Sequence, residues 1–226
     1  MEVMTALQEY GADIIELGMP FSDPLADGPV IQESSSIALA NGMTISALFQ
    51  QLKGFRQTIH LPVVLMGYMN SVLQYGFEKF CEEAAAAGVD GLILPDLPEF
   101  EFENEYGAII ARHGLDFIFL VTPETSEERI RKLDQLSSGF LYAVSSSSTT
   151  GSQQQQVDIH DYLQRLQSLQ LKNPVLVGFG IKDRASFEEV CKQAAGGIIG
   201  TAFIQALRNS EDVRASTRAF LSSIRS

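Results

Sequence analysis

Positive charge is scarce in this chain. Lys and Arg number 16 against 28 Asp and Glu, giving a formal net charge of −12 over 226 residues. A nucleic-acid binder needs a cationic face to neutralise phosphates, so the balance argues against that class. It leaves room for one phosphate on a small substrate, because backbone N–H groups at helix N-termini can hold an anion without lysine. Cysteine is scarcer still. Cys81 and Cys191 stand alone, without metal-ligand spacing, which suits free thiols in a reducing cytoplasm better than a disulfide scaffold or a zinc site. No apolar run reaches the roughly 20 residues of a membrane span, and the opening Met1 to Asp13 has neither the basic end nor the apolar stretch of a signal peptide. A cytoplasmic location is the expectation. The three histidines, His60, His113 and His160, fall at helix ends or in loops, where solvated or capping roles are the simpler account. Walker A, a G-x-G-x-x-G opening a first βα turn, H-E-x-x-H and G-x-S-x-G are all missing, and no metal is expected.

What the chain has is apolar periodicity. Hydrophobic residues make up 45%, enough to bury a core. Seven short runs read as strands buried on both faces: 14–18, 63–67, 91–94, 117–121, 140–144, 175–179 and 197–199. Helical segments lie between them at 31–55, 74–87, 100–113, 127–136, 159–169 and 183–194. Thr125 with Glu128, and Ser186 with Glu189, read as capping boxes, and Gly88 and Gly114 as helix stops. Regular alternation with short connections predicts one α/β domain over residues 1–226. A doubly wound sheet and a (β/α)8 barrel both fit. The barrel is favoured because glycine, proline and polar residues gather immediately after the strands, at Gly18-Met19-Pro20, Pro95-Asp96, Thr122-Pro123, Gly178-Phe179-Gly180 and Gly200-Thr201.

Two constellations could carry chemistry. Glu16 lies in an apolar strand between Ile15 and Leu17, where a carboxylate is costly to ionise and its pKa should rise, fitting it for proton transfer near neutrality. A buried Glu paired with a backbone donor or a basic side chain is the plainer account of the same residue. Asp27 follows in a loop restricted by Pro20, Pro24, Gly28 and Pro29, and two carboxylates in unlike environments can divide acid and base roles. Spacing alone does not choose between Asp27 and Asp23, though Asp23 between Ser22 and Pro24 suits a turn. The second constellation is a phosphate cup at Gly178-Phe179-Gly180 and Gly200-Thr201, after consecutive late strands. Tyr142, Phe179, Met66, Leu94 and Ile198 lie in or just after strands. Core filling is their ordinary role, and a planar apolar substrate could rest on the outermost. Residues 145–156, Ser-Ser-Ser-Ser-Thr-Thr-Gly-Ser-Gln-Gln-Gln-Gln, form a long βα connection placed where barrel enzymes carry lids.

From Glu16 to Gly28 the sequence Glu-Leu-Gly-Met-Pro-Phe-Ser-Asp-Pro-Leu-Ala-Asp-Gly resembles the signature of tryptophan synthase alpha subunits. Supporting stretches are 65–70, 94–98, 120–123, 142–151, 177–181 and 200–203. The resemblance implies a lyase that splits indole-3-glycerol phosphate into indole and glyceraldehyde 3-phosphate. Glu16 would protonate the indole and Asp27 would meet its N–H. Tyr142 would lie beside the ring, with Phe179, Met66, Leu94 and Ile198 at apolar pocket positions. Gly151, Gly180, Gly200 and Thr201 would cradle the phosphate, and Thr150 would be the lid threonine. It also implies a beta-subunit partner in an alpha-beta-beta-alpha complex. That partner carries pyridoxal phosphate, and no cofactor is expected in this chain.

There are departures from the pattern. Thr201 stands where the family has serine, and the Ser/Gln-rich lid lacks an arginine that some members carry. Family members usually begin with one more βα unit, on the order of 30 residues. Residues 1–10 already read as the helix before the Glu16 strand, so seven of eight barrel strands are expected, with two sheet edges left unpaired. That raises a second reading, an incomplete, poorly active barrel that only docks on and modulates the beta subunit. A third, another phosphosugar barrel such as an isomerase, shares the phosphate cup but leaves the 16–28 run without a role.

Overall fold

Each apolar run becomes a short strand. A computed structural model describes residues 1–25, 27–145 and 159–225. Its strands are β1 (Ile15–Gly18), β2 (Val63–Met66), β3 (Gly91–Ile93), β4 (Asp116–Phe117), β5 (Leu120–Val121), β6 (Leu141–Ala143), β7 (Val175–Val177) and β8 (Gly196–Gly197). All pairings are parallel, in the orders β1-β2-β3-β4 and β5-β6-β7-β8. β4 and β5 are two halves of one stave. Ile118 and Leu120 face one side, Phe117, Phe119 and Val121 the other, so the alternation runs through the break. The ladder is interrupted because the Phe119 N–H donates to Ser137 Oγ at 3.0 Å, while the Phe119 carbonyl still accepts from the Tyr142 N–H at 3.0 Å. The described residues thus make a wall of seven staves, in which β1 and β8 each have a single neighbour.

The helices are α1 (Glu2–Glu9), α2 (Pro29–Ala40), α3 (Ile45–Leu52), α4 (Met69–Tyr75), α5 (Phe77–Ala87), α6 (Glu99–Glu101), α7 (Gly107–Arg112), α8 (Glu127–Leu136), α9 (Ile159–Ser168), α10 (Arg184–Cys191), α11 (Thr201–Leu207) and α12 (Val213–Ile224). Two apolar clusters follow from the two strand faces. Outward side chains such as Leu65, Leu92, Phe117 and Val121 pack beneath the helices, and Val64, Ile93, Ile118, Phe140 and Tyr142 fill the inside of the wall. That is the two-faced burial expected of parallel strands in a barrel.

Several boundaries differ from the sequence reading. The segment 31–55 is two helices, parted at Gly42 (φ +82°), and Thr44 caps the second by accepting from the Ala47 N–H at 3.1 Å. The segment 74–87 starts earlier, at Met69, and is divided at Gly76 (φ +98°). Between α6 and α7 the chain passes through a π-helical turn, Phe102–Tyr106. A side chain at Gly107 would strike the Phe102 carbonyl, whose oxygen lies 2.7 Å from where its Cβ would stand. The cap of α8 is Ser126 rather than Thr125, whose hydroxyl instead accepts from the Thr122 N–H at 2.9 Å. At α10 the capping box is Asp183 with Ser186, three residues ahead of the Ser186–Glu189 pair. Gly88 and Gly114 do end helices, both at positive φ.

Candidate active site

Glu16 stands opposite Val64 in the β1–β2 ladder, and Val64 belongs to the inner cluster. Ladder partners share a face, so the Glu16 side chain points inside the wall. It is half-buried as a residue, yet its Oε2 is sealed from solvent and has no hydrogen-bond partner among the described residues. Burial of this kind penalises the anion. Desolvation first, and the nearby Asp27 carboxylate second, push the Glu16 pKa up from 4.5 to about 7. Asp27 is also raised, by burial, and a hydrogen bond from the Tyr68 hydroxyl pulls in the opposite direction.

Tyr68 is buried and its ring leans on Phe21, with centroids 5.3 Å apart. The segment that carries it is pinned from across the mouth, where the Asp96 carboxylate accepts from the Met69 N–H at 3.0 Å at the start of α4. Gln32 on α2 holds the other side of the loop, its Nε2 donating to the Asp27 carbonyl at 2.7 Å. Asp23 is engaged locally by the Ser22 hydroxyl at 2.5 Å, as a turn former would be. Tyr142, in β6, is buried on the inner face, and its hydroxyl is pushed well above its usual range by burial and by the charges of Glu16 and Asp27. Its ring needs Gly178, since a Cβ there would come within 2.1 Å of it.

These groups share a cleft of about 1930 Å³ whose wall includes Glu16, Asp27, Tyr68, Tyr142, Gly200 and Thr201. Met66 and Ile198 also reach it. Gly200 and Thr201 stand at the start of α11, where N–H groups are free of helical partners. Three residues expected at the site are not on the cleft wall. Leu94 is buried in the outer cluster, one position out of phase, and Ile93 holds the inward place. Phe179 follows the same rule: Val177 and Phe179 face outward, and the Phe179 ring stacks on Tyr162 at 6.3 Å. Gly180 lies beyond it in a turn at φ +71°. Thr150, Gly151 and most of the supposed lid lie outside the described residues. Tyr68 and Asp96 were missed, although both sit in stretches already singled out, because hydrogen bonds between separate loops leave no spacing signal. Phe140 on the inner face was legible by counting one alternate position back from Tyr142 along the same run, whereas Leu176 is brought beside them only by the β6–β7 register.

A parallel barrel wall with an acid inside it and its polar groups at the carboxyl ends of the strands defines the class, an α/β-barrel enzyme with its site at the usual face. Sequence comparison carries this further. The family model described as tryptophan synthase alpha chain matches residues 1–225. A tryptophan synthase alpha chain from Flavobacterium johnsoniae is 50% identical over 211 residues, covering 93% of this chain and 83% of the relative. Among solved structures, the alpha chain from Legionella pneumophila superposes with a TM-score of 0.86 at 37% identity, covering 99% of this chain and 83% of that one. A tryptophan synthase complex from Pyrococcus furiosus gives 0.86 at 35% identity, with 99% and 90% covered. The chain belongs to the tryptophan synthase alpha chain family.

Proposed function

We propose that this chain, acting as one α/β-barrel domain in the cytoplasm, cleaves indole-3-glycerol phosphate to indole and glyceraldehyde 3-phosphate, and that Glu16 is its proton donor. Glu16 hands its proton to indole C3, which becomes tetrahedral and leaves the ring an indoleninium with positive charge at nitrogen. The Asp27 carboxylate accepts from the ring N–H and offsets that charge. Removal of the proton from the adjacent glycerol hydroxyl, by the Glu16 carboxylate or a water, forms the aldehyde carbonyl. The C–C bond breaks and its electron pair returns to the ring, releasing indole. Tyr142, Met66 and Ile198 flank the ring, and the backbone at Gly200 and Thr201 takes the phosphate. The chain uses no cofactor. Its partner is a beta subunit that holds pyridoxal phosphate and takes up the indole.

The observation that carries the reading is a carboxyl on the inner strand face, with one oxygen sealed and without a hydrogen-bond partner among the described residues, whose pKa burial pushes up to about 7 beside a second carboxylate. A structural glutamate would have its oxygens satisfied. The test is to incubate the purified chain with indole-3-glycerol phosphate and follow indole. Turnover that Asp27→Asn and Glu16→Gln each abolish supports the assignment. Turnover that survives Glu16→Gln removes Glu16 as donor. Absence of turnover by the chain alone, with altered conversion of indole by an added beta subunit, would favour the docking-only reading.

A further inference from the structure

Helix α4 begins without a cap of its own. Tyr68 stands at its N-cap with extended backbone (φ −120°, ψ 143°), and its aromatic side chain makes no capping bond there. That side chain is committed elsewhere: the ring leans on Phe21 and the hydroxyl goes to the Asp27 carboxylate. Capping falls to a neighbouring loop. Both carboxylate oxygens of Asp96, three residues after β3, approach the Met69 N–H, at 3.0 and 3.1 Å. Asp96 is itself set by a turn, closed by the Leu97 N–H donating to the Leu94 carbonyl at 3.0 Å, with Leu94 and Leu97 both buried. The segment before Tyr68 is held as firmly. The Gly67 N–H donates to the Ile93 carbonyl at 3.1 Å, and the Met19 side chain lies so close over Gly67 that a Cβ there would strike it. Tyr68 is thus fastened by backbone bonds on both sides, and both run to the stave β3 and the loop that follows it.

We propose that Asp96 is a positioning residue of the lyase reaction, holding the start of α4 where the Tyr68 hydroxyl meets Asp27. The proposal rests on the reading of Asp27 as the carboxylate that accepts from the indole N–H. That role needs Asp27 ionised. Burial works against its charge, and the Tyr68 hydrogen bond works for it. Hydrogen bonds weaken steeply with distance and angle, so releasing the Met69 N–H loosens the contact that favours the anion. Two accounts of Asp96 give opposite signs. If it acted by its own charge, removing it would take away a negative neighbour and lower the Asp27 pKa. If it acts by holding Tyr68, removing it weakens that hydrogen bond and raises the Asp27 pKa. The groups that act on Asp27 or respond to it are Tyr68, Glu16 on β1 and Tyr142 on β6, and Asp96 is not among them. Its route to Asp27 runs through Met69 and Tyr68.

The experiment titrates the Asp27 carboxyl carbon by NMR in aspartate-labelled protein, with Asp27→Asn to assign the resonance. Asp96→Ala should raise the Asp27 midpoint toward the value seen in Tyr68→Phe. Asp96→Asn keeps a carbonyl oxygen for the Met69 N–H without the charge, so its midpoint should stay with that of the unmodified chain. Asp96→Ala and Tyr68→Phe together should shift the midpoint no further than Tyr68→Phe alone, because both act through one bond. In turnover of indole-3-glycerol phosphate, Asp96→Ala should lower kcat by about 10- to 10²-fold with little change in KM, and Asp96→Asn should restore it. A midpoint that stays or falls in Asp96→Ala overturns the proposal. So does an equal rise in Asp96→Asn, or additive shifts in the double variant. The capping bond is also read without any variant, which covers the case in which Asp96→Ala does not fold. The Met69 amide, at the open start of a helix, should exchange slowly with solvent, and rapid exchange overturns the proposal. The NMR and exchange readouts need no substrate. Midpoints as expected with no turnover would remove the lyase reading and uphold the hold of Asp96 on Tyr68.

Discussion

Asp134 and Glu16 are both taken out of water in this fold, and they are treated in opposite ways. Asp134, near the end of α8 and 4% exposed, accepts from the Lys172 N–H at 2.7 Å, the Asn173 N–H at 2.9 Å and Asn173 Nδ2 at 2.9 Å. Each of its oxygens is used, and the bonds tie the end of α8 to the segment entering β7. Glu16, inside the wall, keeps an oxygen with no hydrogen-bond partner among the described residues. A satisfied carboxylate stabilises the fold, and an unsatisfied one costs stability and stores a proton. The difference separates a latch from an acid, and it can be attacked from both sides.

The largest effect expected is on turnover. Glu16→Gln keeps the shape and removes the transferable proton, so kcat for indole formation should fall by about 10²- to 10⁴-fold. Asp134→Ala should leave kcat per folded molecule intact but strand buried N–H donors, lowering stability by about 3 kcal/mol in urea unfolding. Next comes the pH dependence of stability. The Glu16 pKa is raised from 4.5 to about 7 on folding, so its contribution is fully present below 4.5 and is lost as pH rises through 7. At about 1.4 kcal/mol per unit that is about 3 kcal/mol in all, an upper figure for a half-buried residue. Glu16→Gln has no such titration, so its unfolding free energy relative to the unmodified chain should improve between acid and weakly alkaline pH. A constant difference would say that Glu16 titrates as an ordinary glutamate. The smallest effect concerns the neighbour. Tyr68→Phe removes the hydrogen bond that holds the Asp27 pKa down, so the acid limb of the pH–rate profile should move to higher pH while the alkaline limb, set by Glu16, stays in place.

The strands were legible because two-sided burial writes continuous apolar runs, and all seven appear within a few residues of where the composition put them. Helix ends were less so, because a cap depends on which hydroxyl turns inward: Ser126 and Thr125 are adjacent, and only geometry separates them. The helix α12 was not foreseen, its few apolar residues being spread among Ser, Thr and Arg. Glu16 announced itself as a charge in an apolar run. Leu94 and Phe179 lie with the outer cluster, which composition does not encode, because it marks a residue as apolar without saying which face it takes, and one residue of phase moves a side chain from the cleft to the outer layer. The link between Asp27 and Tyr68 joins two loops far apart in the chain, and nothing local encodes it.

The central claim is that Glu16 reaches neutral pH still carrying its proton. Titration of the Glu16 carboxyl carbon by NMR in glutamate-labelled protein, with Glu16→Gln to assign the resonance, measures this without any assay of turnover. A midpoint at about 7 is the result expected. A midpoint near the 4.5 of an ordinary glutamate would contradict the account.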